Sequence, residues 1–309
     1  MNLKNNKNIL KLFFFGLILG LSSAALSEVN LAKDNLALTN VIKDQTAIKQ
    51  PRLSFRFFAE KEQDQFFQDM LESSETLSRL EKQFHTNFKL DIPIYFHFQH
   101  AKAAQLIEAE IEANSHVVSI PYSFLYTLYQ GLSTKYAQQT EVIERIFAAT
   151  LEFYVWSEIA GIIIHERQLD ILGKRSTAQD NFASIMMLNQ HSASSDYLVD
   201  ASEAYLLIHS LMSADADEDS LDELESDQKR YKHILCLTIG FDQLTQPEAS
   251  ETDHLTDFYL DKELTNHCQH TYLEVMHNWY AALTPLLQED NLLNYWLNQQ
   301  NLLQTDKDN

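Results

Sequence analysis

Six glycines and five prolines in 309 residues leave this chain few places at which a helix has to stop. Relative to alanine, a glycine inside a helix costs about 1 kcal/mol and a proline about 3 kcal/mol. Their scarcity in a chain rich in leucine, alanine and glutamine points to a predominantly helical structure. From Pro121 onward, nearly everything reads as helix, over about 121–132, 137–168, 176–190, 194–212, 223–240, 260–284 and 286–303.

Before Pro121 the pattern changes. Arg52 to Ala59 (RLSFRFFA) reads as a strand with Leu53, Phe55 and Phe57 on one side. Residues 61–84 read as one amphipathic helix, because Phe66, Met70, Leu71, Leu77, Leu80 and Phe84 recur at three- and four-residue spacing. Ile92 to Phe98 forms a second, aromatic strand. Leu106, Ala109 and Ile111, with the run Val117–Ile120, suggest a hairpin around Asn114–Ser115. A small mixed or antiparallel sheet followed by a helical body is an α+β plan. No internal repeat is visible, and residues 51–303 read as a single domain followed by a tail at 304–309.

The N-terminus has the organisation of a secretory signal. Lys4, Lys7 and Lys11 precede the apolar run Leu12–Leu21, and small residues follow at Ser22, Ser23, Ala24 and Ala25. The run is short for a membrane span, and cleavage after Ala25 or Ser27 fits the small-residue rule. Residues 1–27 are thus expected to be a signal peptide, with no stable membrane insertion once they are removed. Residues 28–50 read as a flexible linker. No cysteine sits at the cleavage site, which argues against a lipid anchor. The expected location is the periplasm or the exterior.

Removing 1–27 takes away three lysines and no acids, so the formal charge moves from −21 to −24. Such a chain is a poor partner for nucleic acid or an anionic membrane surface. Its acidic residues concentrate in Asp215, Asp217, Glu218, Asp219, Asp222, Glu223, Glu225 and Asp227, a run without the glycine and ligand spacing of a calcium loop. Cys236 and Cys268 are the only cysteines. In an oxidising compartment they are expected to pair, for about 3–4 kcal/mol on the chain-entropy model.

The chemistry turns on Trp156–Ala183, WSEIAGIIIHERQLDILGKRSTAQDNFA. A helix that holds catalytic zinc carries histidines at i and i+4, with a glutamate after the first. Here the glutamate is Glu158, and the flanking ligand positions hold Ser157 and Gly161. Two more segments carry pattern: Asp222–Gly240, DELESDQKRYKHILCLTIG, and CQHTYLEVMHNWYAALTP within Leu264–Pro285.

Together these three segments resemble a family of exported bacterial proteins classed as zinc metallopeptidases. Its helix reads approximately HELxHAxID, followed by a glycine and an acidic EEDAADQxA stretch. Alignment on Glu158 puts Gly173 on the family glycine and Asp180, Asn181 and Ala183 on the end of the acidic stretch. The second segment is similar to DEHxLDxQRxxxxLCxxYG, matching at Asp222, Glu223, Asp227, Gln228, Arg230, Leu235, Cys236 and Gly240. The third is similar to CxxEYxxxxxxWxxLLxP, matching at Cys268, Tyr272, Trp279 and Pro285. The resemblance covers residues 52–285, supports the pairing of Cys236 with Cys268, and implies a zincin-like helical body. It also implies that the strand near Val117–Ile120 borders a cleft over the helix of Glu158.

The departures fall on the chemistry. The two metal histidines of the family correspond to Ser157 and Gly161. Its acidic third-ligand region corresponds to Arg175, Ser176 and Thr177, with Lys174 just before, and the histidine of its DEH triplet corresponds to Leu224. A hydroxyl, a hydrogen and a guanidinium do not make a zinc site. The resemblance therefore leaves Glu158 as a vestigial general base, and Ser157, Gly161 and Thr177 as vestigial ligand positions. Asp180 is a residue that orients a ligand in the family.

Other candidates are weaker. His165–Glu166 lies two turns beyond Ser157, but Leu169 stands where a second histidine belongs. His267, His270, Glu274 and His277 share one helix face, a spacing that an exposed polar stripe also produces. His97 and His100 point to opposite faces at a strand end, and no GxSxG elbow exists. The expectation is an exported metallopeptidase-family protein without zinc ligands and without a cofactor, free to bind a peptide or protein in the inherited cleft. The alternatives are an active zinc peptidase rebuilt around His165, Glu166 or another histidine, and a periplasmic interaction module docking through an aromatic surface.

Overall fold

Leu53, Ile94 and His116 stand side by side across three parallel strands. The computed structural model describes residues 53–90, 92–100, 108–112, 115–171, 173–189, 194–212, 220–245 and 262–287. The strands are β1 (Leu53–Phe58), β2 (Ile94–Gln99), β3 (Glu108–Glu112) and β4 (Ser115–Pro121). They form one sheet in the order β1-β2-β4-β3. β1, β2 and β4 are parallel, and β3 runs antiparallel to β4 with Glu112 opposite Ser115.

Parallel neighbours need a crossover. Between β1 and β2 it is supplied by α1 (Glu62–Glu72) and α2 (Glu75–Asn87). Alternation does what the aromatic pattern requires: Ile94, Phe96 and Phe98 are buried, while Tyr95, His97 and Gln99 are half-buried. Phe55 and Phe57 of β1 meet Phe96 and Phe98 at ring-centroid distances of 5.5 and 5.1 Å.

The single helix expected over 61–84 is two helices. Its apolar period continues through the break, but Ser74 is extended and its side chain accepts from the Thr76 N–H at 3.1 Å. That satisfies one of the free donors at the start of α2 and separates it from α1.

The body consists of α3 (Tyr122–Lys135), α4 (Thr140–Arg167), α5 (Arg175–Leu188), α6 (Ser194–Met212), α7 (Ser220–Thr245) and α8 (Lys262–Leu283). α7 continues to Thr245, past the boundary expected at 240. α8 closes with a 3-10 turn at Thr284–Leu286, after which Leu287 bridges to Phe88. The fold is α+β, a small mixed sheet followed by helices. The expected signal peptide and linker, Leu106, Asn114, the acidic run from Asp215 to Asp219, the helix expected beyond 287 and the expected tail lie outside the described residues.

α4 is the centre of the core. By length and apolarity it would cross a membrane, yet 83% of its most apolar window is buried inside the protein, which makes it a core helix. It packs against α5 and α6, and α7 packs against α8. Cys236 of α7 and Cys268 of α8 are joined by a disulfide. Four residues along α7, a Cβ on Gly240 would run into the Cys268 carbonyl and come within 2.7 Å of the Tyr272 Cβ. The glycine therefore permits the close approach at the bridge. α4 ends on Gln168 in the left-handed conformation, and the link to α5 contains Gly173 at φ 99°.

Candidate functional site

Ser157, Glu158, Gly161 and His165 follow one another along a single face of α4, at i, i+1, i+4 and i+8. Opposite them, α5 presents Arg175 and Gln179, themselves one turn apart. The side chains of α5 reach the backbone of α4. Arg175 Nη2 donates to the Gly161 carbonyl at 2.6 Å, and Gln179 Nε2 donates to the Ser157 carbonyl at 3.3 Å. A Cβ on residue 161 would run into the Gln179 amide, so the bare backbone of Gly161 makes this contact possible.

Beside this contact lies a pocket of about 330 Å³, lined by His116, Glu158, Gly161, Ile162, His165, Arg175 and Gln179. His116 comes from the start of β4, so this strand borders the pocket, although it is an inner strand and the edges of the sheet are β1 and β3. His116 Nε2 lies 2.7 Å from Glu166 Oε1, and its ring meets the His165 ring edge-on at 6.3 Å.

Glu158 is the perturbed acid of the site. Burial pushes its carboxyl up to about 7, and the nearby Arg175 guanidinium only partly offsets the loss of hydration. A carboxyl in that range suits general-base or general-acid work near neutrality.

The remaining sequence candidates separate. Ser157 is buried, and Thr177 is half-buried one turn into α5. Asp180 is 2% exposed and receives two hydrogen bonds from Arg230 of α7, Nε at 2.6 Å and Nη2 at 2.8 Å. The same guanidinium lies 4.7 Å over the Tyr205 ring of α6, so this ion pair ties α5, α6 and α7 together. Next to it, His233 Nε2 is 2.6 Å from Asn181 Oδ1, and burial lowers the His233 pKa.

His267, His270, Glu274 and His277 are all exposed on α8. His100 pairs with Asp64 at 3.1 Å, and the His97 ring packs on Phe58. Among the described residues, no group of three or more His, Cys, Asp or Glu side chains is placed to hold a metal ion.

Two pocket residues, His116 and Gln179, escaped the sequence reading. Gln179 stands four residues after Arg175, a spacing that could have put it on the same face. For His116, only its place at the head of a strand expected to border the cleft was a signal.

No curated protein and no solved structure matches the chain. A family model described as "Putative metallopeptidase" matches residues 58–283, which takes in β2, β3 and β4, the Glu158 helix and both cysteines. The chain belongs to that metallopeptidase family.

Proposed function

We propose that this protein is an exported, non-hydrolytic member of the metallopeptidase family that holds a peptide or protein segment in the cleft beside Glu158. The observation that carries the reading is the pair of contacts across the α4 face. The positions aligned with the family's metal histidines are Ser157 and Gly161, and their carbonyls are taken by Gln179 and Arg175.

The residues present do not fit the zinc that the family implies. Zinc needs nitrogen, sulfur or carboxylate lone pairs from three or four groups at about 2 Å. At this place the chain offers a hydroxyl, a hydrogen and a guanidinium whose charge repels a cation. A site rebuilt on His165 and Glu166 lacks a full ligand set, because among the described residues no three His, Cys, Asp or Glu side chains are placed to hold an ion.

Magnitudes decide what Glu158 can do without a metal. Zinc takes the pKa of bound water from about 15.7 to about 7, equivalent to roughly 12 kcal/mol of stabilisation for hydroxide. A charged hydrogen bond contributes about 1.5–3 kcal/mol. Arg175 and the two histidines fall short of that, so Glu158 has a suitable pKa and no activated nucleophile to serve.

Export is supported by the lysine-led apolar N-terminus, and an oxidising compartment suits the Cys236–Cys268 bridge. The test is hydrolysis of a broad fluorogenic peptide set by the purified protein, with and without added zinc. No turnover above background is expected. Turnover that is abolished both by a chelator and by Glu158→Gln would contradict the reading.

A further inference from the structure

We infer that the pocket beside Glu158 takes a carboxylate group of a peptide, held by the Arg175 guanidinium with His165 beside it. This rests on the cleft being a peptide-binding one, and it adds the chemistry by which the peptide is held.

The first argument is the state of Arg175. Its hydrogen bond to the Gly161 carbonyl fixes one edge of the guanidinium at the pocket wall. Among the described residues no carboxylate lies within ion-pair distance of it, and the one acid in the pocket lining is Glu158, whose ionised form its charge favours. By contrast, Arg79, Arg145 and Arg230 each hold an acid at 2.6–2.9 Å. A guanidinium carries five N–H donors in a rigid fork, and the geometry that satisfies two of them together is a carboxylate or a phosphate.

The second argument is the lining. His165 brings a ring N–H donor, and Ile162 supplies an apolar wall for a side chain. At about 330 Å³ the pocket is at the small end of ligand sites, which span roughly 300–1,000 Å³, and suits the end of a peptide. A chain of formal charge −21 disfavours a phosphate dianion more than a carboxylate monoanion, which selects between the two forks.

The experiment is calorimetric titration of the protein with three N-acetylated tetrapeptide pools of randomised sequence. One has a free C-terminus and no acidic side chains, the second is the same pool amidated, and the third is amidated with aspartate last. Binding of the first or third pool at least about tenfold tighter than the second is expected, and which of the two binds tells a terminal from a side-chain carboxylate. Arg175→Gln is expected to bring all three pools within about twofold of one another. Should that variant fail to fold, the acid-against-amide comparison on the unmodified protein decides alone. Equal binding of all three pools would overturn the carboxylate inference and leave peptide binding standing. Binding of none would overturn both.

Discussion

Arg175 at the start of α5 places Nη2 2.6 Å from the carbonyl oxygen of Gly161 on α4, with its charge beside the buried carboxyl of Glu158. The guanidinium favours the ionised form of Glu158 and burial opposes it, with burial the larger effect. Replacing Arg175 by methionine removes the one favourable cation. The Glu158 pKa is then expected to rise further above about 7, as followed by the carboxyl carbon shift in an NMR titration. A fall would show that Arg175 does not act on Glu158.

The same carboxyl makes stability depend on pH. Its pKa is 4.5 without the fold and about 7 within it, so the folded state binds more proton between those values. The contribution is fully present below pH 4.5 and is lost as pH rises through 7. Glu158→Gln removes this loss. Its stability advantage over the unmodified protein is expected to grow from near zero at pH 4.5 to on the order of 2–3 kcal/mol at pH 8, read from urea midpoints. An advantage that is constant across that range would rule the coupling out.

Asp180 and Arg230 are unequal partners, the acid 2% exposed and the base 22% exposed. Leaving the more buried charge without its partner is the costlier change. Arg230→Met is expected to destabilise by about 3–5 kcal/mol, and Asp180→Asn by distinctly less. Chemical denaturation of both variants checks the order, and the reverse order would mean that the arginine is the group whose hydration matters.

Two glycines on helix contacts should respond differently to a methyl group. At Gly240 a Cβ meets the backbone of Cys268, whereas at Gly161 it meets the far end of the flexible Gln179 side chain. Gly240→Ala is expected to cost about 1–3 kcal/mol. At Gly161 the gain in helix propensity, about 1 kcal/mol, offsets most of the clash. Thermal unfolding should rank Gly161→Ala above Gly240→Ala, and equal losses would argue against a tight α7–α8 contact.

What was legible in the chain follows from how local each signal is. The first two strands could be read because Leu53, Phe55, Phe57 and the Ile92–Phe98 aromatics alternate over a few residues. The division of 61–84 was missed because the three- and four-residue spacing from Phe66 to Phe84 runs through Ser73 and Ser74, and the capping serine makes its bond only once the turn exists. Glu158, Ser157 and Gly161 were recognisable because one helix carries all three. Gln179 and His116 were not, since they reach the site through the packing of α5 on α4 and the register of β4 beside β2. Asp180 and Arg230 were each singled out within a separate segment, but neither segment indicated that they meet.

The most direct measurement is zinc stoichiometry. The protein, purified without chelators or affinity metals and dialysed against micromolar zinc, is assayed by elemental mass spectrometry beside a Ser157→His/Gly161→His variant. Well below one zinc per chain is expected for the natural sequence. One zinc per chain in the natural sequence, lost on replacement of His116, His165 or Glu166, would contradict the proposal that this family member has given up its metal.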